Sequence, residues 1–166
     1  MEIAKAKYPA KTVSQGVPGK DFLCYINYGE GATEANPVWN LLGGTDSDDL
    51  GISAEVNTKQ TKNSGYWQEG VITGKSGEYS SEMTVLRDNT AQQVIEEFMY
   101  DDEITGEKNA LHMALVDKVT KEYKEFWCAP TSWELSAASD DTATYSFSGT
   151  IIGKPLKKTG FTLTGE

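Results

Sequence analysis

The chain has 166 residues, 38% hydrophobic and 24% charged, enough to bury one core and short for two domains. Fifteen Lys and Arg against 25 Asp and Glu give a net charge of −10, which disfavours a clamp on nucleic acid because an acidic surface repels phosphate. No run approaches the roughly 20 apolar residues of a membrane span, and the first twenty residues lack the apolar stretch of a secretory signal.

Residues 1–20 show no periodicity and contain Pro9, Gly16, Pro18 and Gly19, so they read as an extended N-terminal arm, lysine-rich like residues 154–166 at the other end. Between them, residues 21–153 read as one domain without an internal repeat. A first strand covers 21–28, a turn-rich loop 29–37, and a short second strand 38–42 ending at Gly43-Gly44. An acidic turn, TDSDDLG, precedes a strand in which Ile52, Ala54 and Val56 alternate with Ser53, Glu55 and Asn57. The pattern dissolves over 58–76 into a long loop holding Lys62, Asn63, Tyr66 and Trp67. A strand resumes at Glu78, with Tyr79, Ser81, Met83 and Val85 on one side and Glu78, Ser80, Glu82 and Thr84 on the other.

One helix is expected over 91–100. Ala91, Val94, Ile95, Phe98 and Met99 form a single apolar stripe, with a capping box from Thr90 to Gln93 and Asn89 as the alternative cap. Asp101, Asp102 and Glu103 beyond it solvate a turn closed by Gly106. Strands follow over 110–118 and 121–128, then a hairpin over 131–153 with Ser139-Asp140-Asp141 at its turn. Its first arm alternates Trp133, Leu135 and Ala137 with Ser132, Glu134 and Ser136. Its second alternates Ala143, Tyr145, Phe147 and Ile151 with Thr144, Ser146, Ser148 and Thr150. One face is apolar; the other carries hydroxyls and a carboxylate. The patterning is therefore mainly β, with one helix, a long inter-strand loop and extended terminal arms.

Catalytic constellations are hard to assemble. His112, the lone histidine, lies in the core strand LHMALV, and no G-x-S-x-G elbow occurs. GEGATE at 29–34 lacks the third glycine of a phosphate loop and a following helix. Asp46, Asp48, Asp49 and Gly51 imitate a calcium loop, but Asn57 stands where a bidentate Glu belongs. Cys24 and Cys128 read as buried free thiols, too few for a zinc site. Catalytic residues, metals and cofactors are all expected to be none. Tyr66-Trp67 in a polar loop is the better anomaly, since Trp and Tyr anchor interfaces.

Taken together, GKDFLCYINY, then VWNLLGGTDSDDLGISAEVNTKQTKNSGYWQEG, then the mid-chain helix, then SWELSAASDDTATYSFSGTIIG resemble, in that order, a major tail tube protein of long-tailed, non-contractile bacteriophages. The resemblance spans residues 19–153. It implies a single-domain β-sandwich or barrel-like body with that helix flanking it. It also implies self-assembly into homohexameric rings that stack into a virion tail tube, a conduit for DNA ejection, with synthesis in the host cytoplasm. Tape-measure, tail-terminator and tail-tip proteins are the implied partners, and double-stranded DNA passes without sticking. Under that resemblance Glu55, Glu78, Glu82 and Glu134 face the lumen, and Lys62, Asn63, Tyr66 and Trp67 form an inter-subunit loop. The alternatives are the inner tube of a contractile tail, tailocin or secretion injector, or a carbohydrate- or protein-binding β-sandwich with Trp39, Tyr66 or Trp67 as its platform.

Overall fold

The structure, a computed structural model, describes residues 16–63, 65–103 and 109–163. Gly106 and most of the N-terminal arm, residues 1–15, lie outside the described residues. After a 3-10 turn at Gly19–Asp21, the elements are β1 (Phe22–Asn27), β2 (Trp39–Leu41), β3 (Thr45–Lys59), β4 (Glu69–Thr84), α1 (Thr90–Tyr100), β5 (Leu111–Asp117), β6 (Tyr123–Ser136) and β7 (Thr144–Lys158). All seven strands form one sheet in the order β2-β1-β5-β6-β7-β4-β3, antiparallel at every pairing. Among the described residues the body is mainly β, one antiparallel sheet in a single domain with one α-helix, in line with the fold that the resemblance implies.

The sheet curls around its own core. Phe22 and Leu23 of β1 line a cleft with residues 45–49 of β3, although four strands separate β1 from β3 in the sheet. Inside the curl lie Cys24 and Ile26 from β1, Tyr79 and Met83 from β4, Phe126 and Cys128 from β6, and Tyr145, Phe147 and Ile151 from β7. Ala91, Val94 and Ile95 of α1 close it, with Phe98 and Met99 packed alongside. A buried Phe or Ile of this kind stabilises the fold by about 1.5–3 kcal/mol. On the outer face at the β1–β5 end, Tyr25, Ala114, Val116 and Phe161 form a second, smaller cluster. β1 is thus covered on both faces, which is why its sequence is a continuous apolar run.

Several local readings give way to the sheet. TDSDDLG is not a turn: it begins β3, because the ladder to β4 pairs Ser47 with Glu82 and Asp49 with Ser80 and so satisfies the backbone that turns would otherwise serve. The long loop shrinks to residues 60–68, since β3 and β4 continue as an exposed hairpin. Almost nothing of the same chain covers either face of that overhang, so no periodicity betrays it. Strands 121–128 and 131–136 are one strand, β6, bent at a bulge between Pro130 and Ser132. β7 runs on to Lys158, so residues 154–158 are strand and not arm. Asn89 caps α1, its Oδ1 accepting from the Gln92 backbone N–H at 3.1 Å, while Gln93 donates to the Arg87 carbonyl instead of closing a capping box.

Gln92, 2% exposed, carries more of the junction than its place beside the cap suggests. Its Nε2 donates to the Gly43 and Thr84 carbonyls, both at 2.9 Å, and its Oε1 accepts from the Leu86 N–H at 2.9 Å. One side chain ties the first turn of the helix to the β2–β3 connection and to the end of β4. Gly44 turns that connection at φ +71, and a Cβ there would lie 2.8 Å from the Thr84 carbonyl oxygen.

Candidate functional site

The register assembles a polar wall on the outer face of β3, β4, β7 and β6. In one row across the sheet stand Ser47, Glu82, Ser146 and Glu134; in the next, Asp49, Ser80, Ser148 and Ser132. Glu78 sits opposite Thr150 in a third row. Further along β3, Ser53 faces Ser76, with their hydroxyl oxygens 3.4 Å apart, and Glu55 pairs with Gly74. Glu55, Glu78, Glu82 and Glu134 therefore share one face, opposite to buried Tyr79, Met83, Tyr145 and Phe147. Asp49 is a fifth carboxylate on it, which the sequence reading missed by treating residues 45–51 as a turn. Odd-even parity with Glu55 would have found it.

The wall is chemically uniform. Residues 47–55, 78–84, 132–136 and 144–150 contain no Lys or Arg. Ser47, Asp49, Ser80, Glu82, Ser132, Ser146 and Ser148 line a shallow depression of 470 Å³, and the Ser132 and Ser148 hydroxyls are hydrogen-bonded across β6 and β7. Neighbouring strands lie about 4.8 Å apart, so Glu82 and Glu134, two strands apart, stand about 10 Å from one another. That spacing spreads negative charge and leaves nothing to attract a phosphate.

Of the bulges in these strands, two have a threonine as the extra residue, with its hydroxyl donating to the partner strand: Thr73 to the Glu55 carbonyl at 3.4 Å and Thr131 to the Ser148 carbonyl at 3.2 Å. Beyond the first, Val56 pairs with Ile72 on the core-side face. Ile52, Val56 and Ile72 are all exposed there, where the hairpin outruns the body. At its tip Tyr66 is 100% exposed and Trp67 83%, with Lys62 and Asn63 in the same turn. The hairpin tip thus brings the four expected loop residues together; Glu55 stands lower on the same hairpin, and Glu78, Glu82 and Glu134 stand nearer the body or on it.

A second polar assembly was invisible in the sequence. His112, buried in β5, stacks on Trp127 with ring centroids 4.6 Å apart and lies 5.0 Å from the Trp39 ring. Asn27 Oδ1 accepts from the Val38 N–H, so its Nδ2 is the donor to His112 Nδ1 at 3.0 Å, and His112 Nε2 donates to Glu125 at 2.6 Å. Lys158 Nζ lies 2.6 Å from the other Glu125 oxygen. Burial alone would raise the Glu125 carboxyl, but the bonds from Lys158 and His112 hold it below its usual range. This network clamps β5, β6 and β7 and anchors the C-terminal strand. Trp39, wedged between His112 and Phe161, is no open sugar platform.

Within the core, Tyr79 donates to Asp48 at 2.5 Å, and burial pushes both groups upward. Burial likewise raises the Cys24 thiol and pushes Cys128 up to about 12. Both cysteines are free and buried. Among the described residues no cluster of His, Cys, Asp or Glu could hold a metal ion, and no helix is long and apolar enough to cross a membrane.

One curled antiparallel sheet with a single helix, an uncovered hairpin and a cation-free hydroxyl-acid wall defines a protein built for assembly. Residues 16–157 match the family described as phage tail tube protein, and the chain belongs to that family, a structural component of the virion. No curated protein matches the sequence. Among solved structures it is similar to a chain in the tail of the empty gene transfer agent particle (TM-score 0.69, 15% identity, 87% of this chain and 100% of the other). It is also similar to the SPP1 tail tube (0.68, 15%, 89% and 81%) and to a chain in the anti-feeding prophage baseplate (0.64, 8%, 89% and 98%). At these identities the likeness is one of fold.

Proposed function

We propose that six copies close into a ring, that rings stack into the tube of a non-contractile tail, and that the outer wall of β3, β4, β6 and β7 faces the lumen. The observation that carries this is the common face of Glu55, Glu78, Glu82 and Glu134, joined by Asp49 amid serines and threonines without a cation. Joining the sheet to its counterparts would remove the exposed edge of β3, a 15-residue strand whose outer backbone row is otherwise open to aggregation. A negative, hydroxyl-rich bore repels duplex phosphates, so DNA slides through. The sixfold-refined gene transfer agent tail and the SPP1 tube, which share this fold, support the ring. Tape-measure, terminator and tip proteins are the partners such a tube meets at its bore and ends.

Replacing Glu55 and Glu82 with lysine tests the wall. Tubes should still form, because both side chains are exposed and distant from the core, and DNA ejection from particles carrying them should slow. Unchanged ejection rates would remove these residues from the lumen. Microscopy of the parent particle separates the tail classes, since a contractile tail shows a sheath around the tube.

A further inference from the structure

The hairpin tip of one copy and a groove beside α1 are complementary in charge and in apolar character. The groove, 400 Å³ in volume, has an apolar lining that includes Val94 and Phe98 of α1, Leu111 of β5 and the Trp127 ring, with Glu34 and Glu97 at its rim. That volume lies within the roughly 300–1,000 Å³ that accepts a group the size of an indole or a small ligand. The tip offers Trp67, 83% exposed, beside Lys62. Residues 52–77 carry Lys59, Lys62 and Lys75 against Glu55 and Glu69, a net of +1, on a chain whose remainder carries −11. A basic, aromatic finger on an acidic body has its complement in another copy of the same body. Residues 52–59 alone span about 26 Å of extended chain, so the finger projects well beyond its own domain.

From this we infer that Trp67 of one copy inserts into the groove between α1, β5 and the 28–34 loop of a second copy, stacking toward Trp127, while Lys62 pairs with Glu97 at the rim. This rests on assembly of the chain into tubes and names the surface that makes the contact. Buried aromatic anchors carry most of an interface's energy, and rim charges select the partner.

Charge reversal and cross-linking test it. Lys62→Glu places a carboxylate against Glu34 and Glu97, and Glu97→Lys places an ammonium against Lys62; each should raise the concentration needed for tube formation by about tenfold or more. The combined variant should return it close to the wild-type value. Independently, Gln68→Cys with Ala32→Cys should give a ladder of disulfide-linked copies on a non-reducing gel, against a silent background because Cys24 and Cys128 are buried. If wild-type protein forms tubes but the reversal pair shows no rescue and residues 68 and 32 do not cross-link, the groove is not the acceptor, and tube assembly stands. If wild-type protein forms no tubes at any concentration, assembly itself fails and the groove assignment falls with it. Should the cysteine variant stay monomeric, the charge-reversal pair decides alone.

Discussion

Gln92→Met should destabilise the monomer far more than Gln93→Ala, its neighbour on the first turn of α1. The methionine keeps most of the volume and leaves the Gly43 carbonyl, the Thr84 carbonyl and the Leu86 N–H without the partner they have at 2.9 Å. A buried backbone group that loses its partner costs about 1–3 kcal/mol. The three together, taken at the low end because the junction can relax, cost about 3 kcal/mol. With a urea slope near 2 kcal/mol per M, the unfolding midpoint falls by about 1.5 M. The measurement is equilibrium denaturation followed by tryptophan fluorescence, at concentrations below assembly, with Gln93→Ala as the control. Gln93 makes one exposed bond to the Arg87 carbonyl, so its loss should cost under about 0.5 kcal/mol. A loss below about 1 kcal/mol for Gln92→Met, or equal losses for the two variants, would show that the junction does not depend on this side chain.

Further outcomes follow from the buried groups. Burial raises the Asp48 carboxyl against the bond from Tyr79, so its stabilising contribution is full below the ordinary value of 3.8 and is lost as pH rises through the folded value. Asp48→Asn, which keeps an acceptor for Tyr79, should therefore raise the melting temperature near neutral pH and have no such effect at about pH 3.5; a pH-independent difference refutes this. Glu125 has the opposite sign: burial is outweighed by bonds from Lys158 and His112, so its contribution is present above the ordinary value of 4.5 and is lost as pH falls. Glu125→Gln should destabilise at neutral pH, with the penalty shrinking in acid in thermal melts across that range. Gly149→Ala would put a methyl 2.3 Å from Cys128 Sγ and 2.9 Å from the Ala129 carbonyl, costing about 1–3 kcal/mol by denaturation. Cys128, buried and with its thiol pushed up to about 12, should resist alkylation at mildly alkaline pH in the folded protein and react only when urea unfolds it; fast labelling without urea refutes this.

Alternation along β4 and β7 already separated Tyr79, Met83, Tyr145 and Phe147 from Glu78, Glu82, Ser146 and Ser148, and the stripe Ala91, Val94, Ile95 located α1. Those patterns are local: a side chain's face follows from its parity within one strand, or from its angle on one helix. The candidate wall was legible to the same extent, because Glu55, Glu78, Glu82 and Glu134 each sit at a polar parity position. What brought them together was the register between strand residues 12 to 72 positions apart, from Glu134 with Ser146 to Glu78 with Thr150, including two threonine bulges that no periodicity announces. Strand pairing also turned TDSDDLG and most of the apparent loop into ladder, since a backbone hydrogen bond to a partner strand outweighs a side chain's preference for turns. The His112–Glu125–Lys158 network and the three bonds of Gln92 join residues with no sequence relation at all. Amino-acid order alone determined which side chains are apolar, polar or acidic on each strand. The curl of the sheet decided which of them meet, because a buried polar group needs its partner in space and not in sequence.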